Sequence, residues 1–441
     1  MKNFKKIAAA VTCTAMLVGY ASTASAVNWL LLQGTEKQGT APRAKVWGFM
    51  QPSYQKDYSD ITGPEATRIG PNLDKQSQFQ LQRARIGVRG QPFPLDNNIN
   101  YFFLAEFGQN AITDGGVYGE QQAVKLTDAS TTFNHIKGAR VRIGLFKTPG
   151  PEEVYQGIFT FDYINFTDAM NQMMLERFST GVNSTANGNN VLTNTETGWA
   201  SFGAARDIGV QVFDSFKTKG GWDHSYSVML GNGNGLSTGG TAEGEDLYLY
   251  WSSELALPGG VGPWSHGLKM FAWSHSGQRK LDMTDDGTAN AVIYDRKRSG
   301  VGVKYRHKQW RVVAEYLKGD GLIFQGPEKP NFGFGTPTSR QDLRGESDGY
   351  YLDLGWYIPG TKWELDLRYD AYNRSKTHAN LAAEFRTITY GIQYHFNRKT
   401  RFTLNYSVRD AKAVGSAPFA NLKSGLEGID DRLALQATVV F

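Results

Sequence analysis

The sequence predicts an all-β chain: a transmembrane, antiparallel, up-and-down β-barrel of about sixteen strands whose third long loop folds inward. Three observations carry this expectation. Segments of strand length alternate apolar and polar residues along most of the chain, the period of a sheet whose two faces meet different surroundings. The connections between them alternate long and short, as they do when tight turns occupy one rim of a barrel and extended loops the other. Beyond the first 26 residues no apolar run approaches the roughly 18 residues of a membrane-crossing helix. A mean hydropathy of −0.43 is compatible with a membrane barrel, because only alternate strand residues face lipid.

Taken in order, residues 1–26 have a basic start (Lys2, Lys5, Lys6), an apolar centre from Ile7 to Tyr20 and a small-residue end, Ala24-Ser25-Ala26. That is the pattern of a secretory signal peptide cut before Val27. The single cysteine, Cys13, lies inside it, so the mature chain can form no disulfide, thiolate metal site or covalent c-type haem. With Lys2, Lys5 and Lys6 removed, Lys+Arg fall from 47 to 44 against 42 Asp+Glu. So balanced a chain gives no reason to expect a nucleic-acid partner. Residues 27–42 are a short lead-in, and 43–441 contain no linker or low-complexity block that would divide the barrel.

Five strands are expected first, near Arg43 to Tyr54, Gln78 to Arg89, Ile99 to Phe107, Gln122 to Ala129 and Ala139 to Lys147. Eleven follow: Phe202 to Phe216, Trp222 to Leu230, Asp246 to Leu255, Gly267 to His275, Val292 to His307, Gln309 to Leu317, Tyr350 to Ile358, Lys362 to Tyr372, Phe385 to Phe396, Arg401 to Arg409 and Arg432 to Phe441. Trp363, Leu365, Leu367 and Tyr369 alternate with Glu364, Asp366, Arg368 and Asp370, and four charges on one face need water rather than a dry core. Trp222, Trp310, Trp356, Tyr357, Trp363 and Tyr372 stand at strand ends, where aromatic girdles form. Two strands are apolar on both faces, at Tyr101-Phe-Phe-Leu104 and Leu247-Tyr-Leu-Tyr-Trp251; packing against an inward loop or against a neighbouring subunit explains either equally well.

The constriction loop is expected at about 148–199, after the fifth strand. Its candidate charges are Glu152, Glu153, Asp162, Asp168, Glu176 and Arg177. Asp168, Met170, Met173, Met174 and Arg177 recur at helical spacing with acid first and arginine last, which reads as a short packed helix rather than a Met-rich binding surface. The candidate pore-lining residues are Arg83, Arg85, Arg89, Arg140, Arg142, Lys304, Arg306 and Arg368, each opposite a lipid-facing set, and Lys147 at the start of the loop. They serve as a basic wall, or they pair with the acidic loop and hold it in place. In particular, Arg140 and Arg142 are expected to act on permeating anions only to the extent that Glu152, Glu153 and Asp162 leave them unpaired. Seven scattered histidines form no HExxH, and no G-x-S-x-G element is present, so no metal, no cofactor and no enzyme activity are expected.

Arg83-Ala-Arg-Ile-Gly-Val-Arg-Gly90, Val141-Arg-Ile-Gly-Leu-Phe-Lys-Thr-Pro149 and Met174-Leu-Glu-Arg-Phe178 resemble the phosphate-selective porin family, the porin O and porin P type. The resemblance is clearest from about Phe79 to Phe178. It implies a homotrimeric, sixteen-stranded bacterial outer-membrane barrel with its third long loop in the pore. The loop's net acidity departs from what phosphate selection needs, so a weakly selective diffusion pore for small ions and hydrophilic solutes, with a modest anion bias, is the expected function. The alternative is a scaffold barrel sheathing a multihaem cytochrome partner in an electron conduit; the chain itself has no CxxCH.

Overall fold

The structure is a computed structural model. It describes residues 28–441 apart from 34, 37–42, 60–76, 93–95, 111, 114–122, 176, 179–183, 188–190, 195–200, 237–241, 261–263, 283–290, 327–338 and 419. Sixteen strands follow one another around a single closed ring. They are β1 (Lys45–Asp57), β2 (Ser77–Gly90), β3 (Ile99–Glu106), β4 (Lys125–Phe133), β5 (Arg140–Lys147), β6 (Arg206–Lys217), β7 (Trp222–Gly231) and β8 (Asp246–Ala256). The second half is β9 (Gly267–Asp282), β10 (Ala291–His307), β11 (Trp310–Asp320), β12 (Glu346–Tyr357), β13 (Trp363–Arg374), β14 (Ala383–Asn397), β15 (Thr400–Ala413) and β16 (Arg432–Val440). Every pair is antiparallel, and β16 closes on β1 with Phe49 opposite Val440 and Asp57 opposite Arg432. Closure leaves no sheet edge, which is what lets strands stand in hydrocarbon.

Turns and loops segregate as the sequence implies. Lys308–Gln309 and Arg398–Lys399 join strands directly on one rim, while 58–76, 148–205, 321–345 and 414–431 span the other. At the tight turns the chain enters the left-handed region at Lys308 (φ 53°) and Gly360 (φ 74°). The wall's two faces also separate: Leu365 and Leu367 are exposed on the outside of β13, whereas Glu364, Asp366, Arg368 and Asp370 are buried on the inside. On β15, Phe402, Leu404 and Tyr406 face out and Arg401, Thr403 and Asn405 face in.

The hydrophobic core sits inside the ring, built from Tyr155, Met170, Met173 and Met174 of the third long loop against Tyr250, Trp273, Tyr351 and Tyr372 of the wall. This accounts for the doubly apolar strands. Phe102 turns inward and stacks on Trp47 at 6.1 Å, Trp47 meets Phe159 of the loop at 6.0 Å, and Tyr250 meets Tyr155 at 5.6 Å. Tyr372 is therefore core, stacked on Phe385, and not a girdle residue. Tyr357 likewise lies 5.3 Å from His395, whose ring bonds the inward Glu364. Trp310 stacks on Trp356, and Trp363 meets Tyr394 edge to face, as girdle pairs do.

Three features were not legible in advance. The fourth strand lies a few residues later than expected, at Lys125–Phe133. A helix, Ala420–Glu427, crosses the last long loop. Within 148–205, Ser184–Asn187 and Val191–Asn194 form a separate sheet with Ser339–Asp342 and Ile323–Gly326 of the sixth long loop, so the expected constriction loop is two structures in series.

Candidate solute channel

The first of those structures, Thr148 to Leu175, bonds to inward side chains from around the ring. It opens with a helix at Glu152–Tyr155, a 3-10 turn at Ile158–Thr160 and a π-helical turn at Met170–Met174. Lys147 pins its start: the buried ammonium donates to the carbonyls of Val154 (2.9 Å) and Gln156 (2.6 Å). Glu152 is held by Lys269 at 2.8 Å and Lys304 at 2.9 Å. Burial alone would raise its carboxyl, but the two ammonium groups hold it down at about 2. Glu153 accepts from the backbone N–H (2.8 Å) and hydroxyl (2.7 Å) of Thr167 and lies 3.4 Å from Arg368; burial pushes it up to about 7 against the pull of that arginine.

Asp162 meets three arginines, Arg311 at 3.1 Å, Arg401 at 3.7 Å and Arg306 at 3.9 Å. Arg368 binds Asp353 at 2.7 and 3.1 Å, donates to the Asn165 carbonyl at 3.0 Å and covers the Tyr163 ring at 3.8 Å. Asp168 accepts from Thr387 (3.1 Å), while its backbone N–H donates to Asp370 (3.1 Å). Of the two remaining loop candidates, Glu176 lies outside the described residues, and of Arg177 only the backbone pairing with Phe202 is described.

Among the described residues, Arg140 and Arg142 do not meet the acidic loop. Arg140 lies 3.4 Å from Asp214 of β6. Arg142 is fully buried: it donates to Gln211 (3.1 Å) and Thr132 (3.2 Å), and to the main-chain carbonyls of Leu30 (3.3 Å) and Gln33. The loop crosses to the β9–β15 wall, and the β5 side is occupied by the amino-terminal segment instead. Asn28 caps a one-turn helix at Trp29–Leu32, and its side chain donates to Ser225 of β7 at 2.5 Å. Arg89, another pore-lining candidate, is taken up by the same segment. It donates to the carbonyls of Leu32 (3.0 Å) and Thr35 (2.8 Å) and pairs with Glu36.

Between the loop and the long-loop rim lies a cavity of about 140 Å³. Arg83, Arg85, Lys147, Arg206, Arg409 and Arg432 line it together with Asp168 and Asp370. Most of these cations already have a partner: Arg85 binds Glu106 (2.7 Å), Arg206 binds Asp128 (3.2 Å), and Arg409 and Arg432 share Asp57 (2.6 and 2.5 Å). Two have no ion pair among the described residues: Arg83, which donates to the neutral Gln51 amide (3.2 Å) and lies over Phe166 (5.6 Å), and Lys147, which donates to loop carbonyls.

The sequence profile described as "Phosphate-selective porin O and P" matches residues 51–424, most of the chain. The chain belongs to that family. It is an outer-membrane porin, and its sixteen-stranded ring and interior cavity are those of a channel. No curated protein matches it by sequence. Among solved structures the porin is similar in fold to the OmpF of Salmonella typhi in complex with daunomycin, at 12% identity, 90% of this chain, 97% of that chain and a TM-score of 0.53. It is similar too to the outer-membrane channel DcaP of Acinetobacter baumannii, at 12% identity, 93% of this chain, 100% of that chain and a TM-score of 0.51. For the OprB of Pseudomonas putida the values are 10%, 95%, 100% and 0.50.

Proposed function

We propose that this porin is a weakly selective passive-diffusion pore for small ions and hydrophilic solutes, with a modest anion bias and no catalytic role. The observation that carries the reading is the pairing of charge in the channel. Among the described residues most lumenal cations have a carboxylate partner, and the loop acids Glu152, Glu153 and Asp162 are spent on Lys269, Lys304, Arg368 and Arg311. Paired charges cancel beyond about one Debye length, 8 Å at physiological salt, so little net field remains to sort solutes. Arg83 and Lys147, without ion pairs among the described residues, and Arg409 with Arg432, which share one carboxylate, supply the residual positive charge. A dedicated phosphate site would need a cluster of such cations. The cytochrome-sheath alternative finds no support, because the porin's own loop and amino-terminal segment occupy the space inside the ring that a sheathed partner would need.

A homotrimer in outer-membrane lipid is part of this proposal. Its support is the wall height: β3, β4 and β5 have only 8, 9 and 8 residues. A tilted strand needs about 9–11 to cross the hydrocarbon, so this sector suits a protein neighbour better than lipid. Purified porin in a planar bilayer tests the function. Stepwise conductance with a small reversal potential in a salt gradient is the expected result; silence, or strong anion selectivity, overturns it.

A further inference from the structure

We infer that the described amino-terminal residues 28–33, 35 and 36 form a selectivity element: they lie in the turn-rim half of the lumen and cover Arg89 and Arg142, keeping two guanidinium groups out of the conduction path. The inference rests on the proposed diffusion function. Trp29 and Leu30 are buried, and they join the same apolar cluster as Tyr155 of the loop and Phe213 of β6. The segment is anchored at both ends, by Asn28 on Ser225 and by the Glu36 backbone N–H on the Asn100 side chain (3.0 Å). Gln33 ties it to the loop through the Tyr155 carbonyl (3.3 Å).

The positions of these partners fix the depth. Arg89 ends β2, Asn100 begins β3, Arg142 begins β5 and Ser225 begins β7, and all four strand ends lie on the turn rim. The segment therefore stands on the opposite side of the loop from the cavity that holds Arg83. Its hold on the arginines is mostly electrostatic. Arg142 bonds the last carbonyls of the one-turn helix, where lone carbonyl oxygens attract a cation, and Arg89 takes two more carbonyls and the Glu36 carboxylate. None of the wall's ladder bonds runs through the segment, so the ring closes without it. An α-helix with its side chains is about 10 Å across; its removal widens the lumen and bares both guanidinium groups together.

The test uses the exported porin with residues 28–36 deleted, compared with wild type for single-channel conductance and reversal potential in a KCl gradient. Heat-modifiable gel migration reports whether the barrel has folded. Deletion should raise conductance and increase the Cl⁻/K⁺ permeability ratio about twofold or more, since two cations enter the field of a narrow pore. Arg89→Gln with Arg142→Gln in the deleted background should abolish the gain in ratio and keep the gain in conductance. Should the deletion prevent folding, Trp29→Ala with Leu30→Ala in the full chain removes only the buried anchors and should shift both readouts the same way. A wild-type pore that conducts, with folded variants that match it in both readouts, overturns the inference; a silent wild type overturns the diffusion function instead.

Discussion

The Lys304 ammonium lies 2.9 Å from Oε1 of Glu152, joining β10 to the first turn of the inner loop. Lys269 takes the other carboxylate oxygen at 2.8 Å, and all three groups are largely out of water. The clamp therefore works as a unit. Its folded-state carboxyl value, about 2, lies below the ordinary 4.5, so the stability it contributes is fully present above pH 4.5 and is lost as pH falls toward 2. The loop should loosen across that window, read as rising open-channel noise in bilayers titrated from pH 6 downward. Glu152→Gln should show the same noise already at neutral pH and lose the acid transition. It should also destabilise the folded porin by about 3 kcal/mol, because Lys304 stays largely buried without its carboxylate and Lys269 keeps only Glu254, at 3.9 Å.

The inside and outside of the wall give a second prediction. Leu365 and Leu367 are exposed on the outer face of β13, so arginine at either position should cost about 2–4 kcal/mol of folding in bilayers. Thr389 of β14 lines the cavity, and Thr389→Asn should fold close to wild type. Asp366 would be a poor inward control despite its orientation, since it lies 2.5 Å from Arg311 and also accepts from Gln393. Urea midpoints of bilayer folding check this; equal losses at Leu365 and Thr389 would exchange the faces.

Accessibility gives a third. Asp162 is buried among Arg306, Arg311 and Arg401, whereas Asn232 is exposed on the long-loop rim. On whole cells a bulky impermeant thiol reagent should label cysteine at Asn232 rapidly and cysteine at Asp162 or Asp168 slowly. Gly233 is unsuited as the comparator, because its backbone has φ 70° and its N–H is bonded to Asp207. Equal labelling rates would place the segment outside the barrel.

These residues also show which parts of the molecule a sequence can reveal. Leu365 and Asp366 are legible because lipid and water are opposite solvents and a strand presents them at period two. The loop is legible as a length between strands. Its partners are not: Asp162 meets arginines from β10, β11 and β15, and no local pattern encodes pairings that barrel closure alone creates. The amino-terminal segment is the clearest loss. Trp29-Leu-Leu-Leu32 has no strand period and too few turns for an amphipathic one, and Arg142 binds it through main-chain carbonyls, which carry no side-chain signature at all.

The last prediction concerns Arg83. Selectivity in a narrow pore depends on charge that is left uncompensated within a Debye length of the solute, about 8 Å at physiological salt. Arg85 is 2.7 Å from Glu106 and Arg140 is 3.4 Å from Asp214, so each contributes a dipole rather than a net charge. Arg83 lines the same cavity and bonds an amide over an aromatic face, with no ion pair of its own among the described residues. Arg83→Gln should therefore reduce the Cl⁻/K⁺ permeability ratio by about twofold, the effect of one bare cation in a confined field, while Arg140→Gln leaves it nearly unchanged. Arg85→Gln should also move the pore toward cations, because it strands the Glu106 carboxylate, and should lower stability as well. Reversal potentials of the three variants in one salt gradient decide the matter. A ratio unmoved by Arg83→Gln would take this residue out of the conduction path and move the source of the bias to Lys147 or to Arg409 and Arg432, which share one carboxylate.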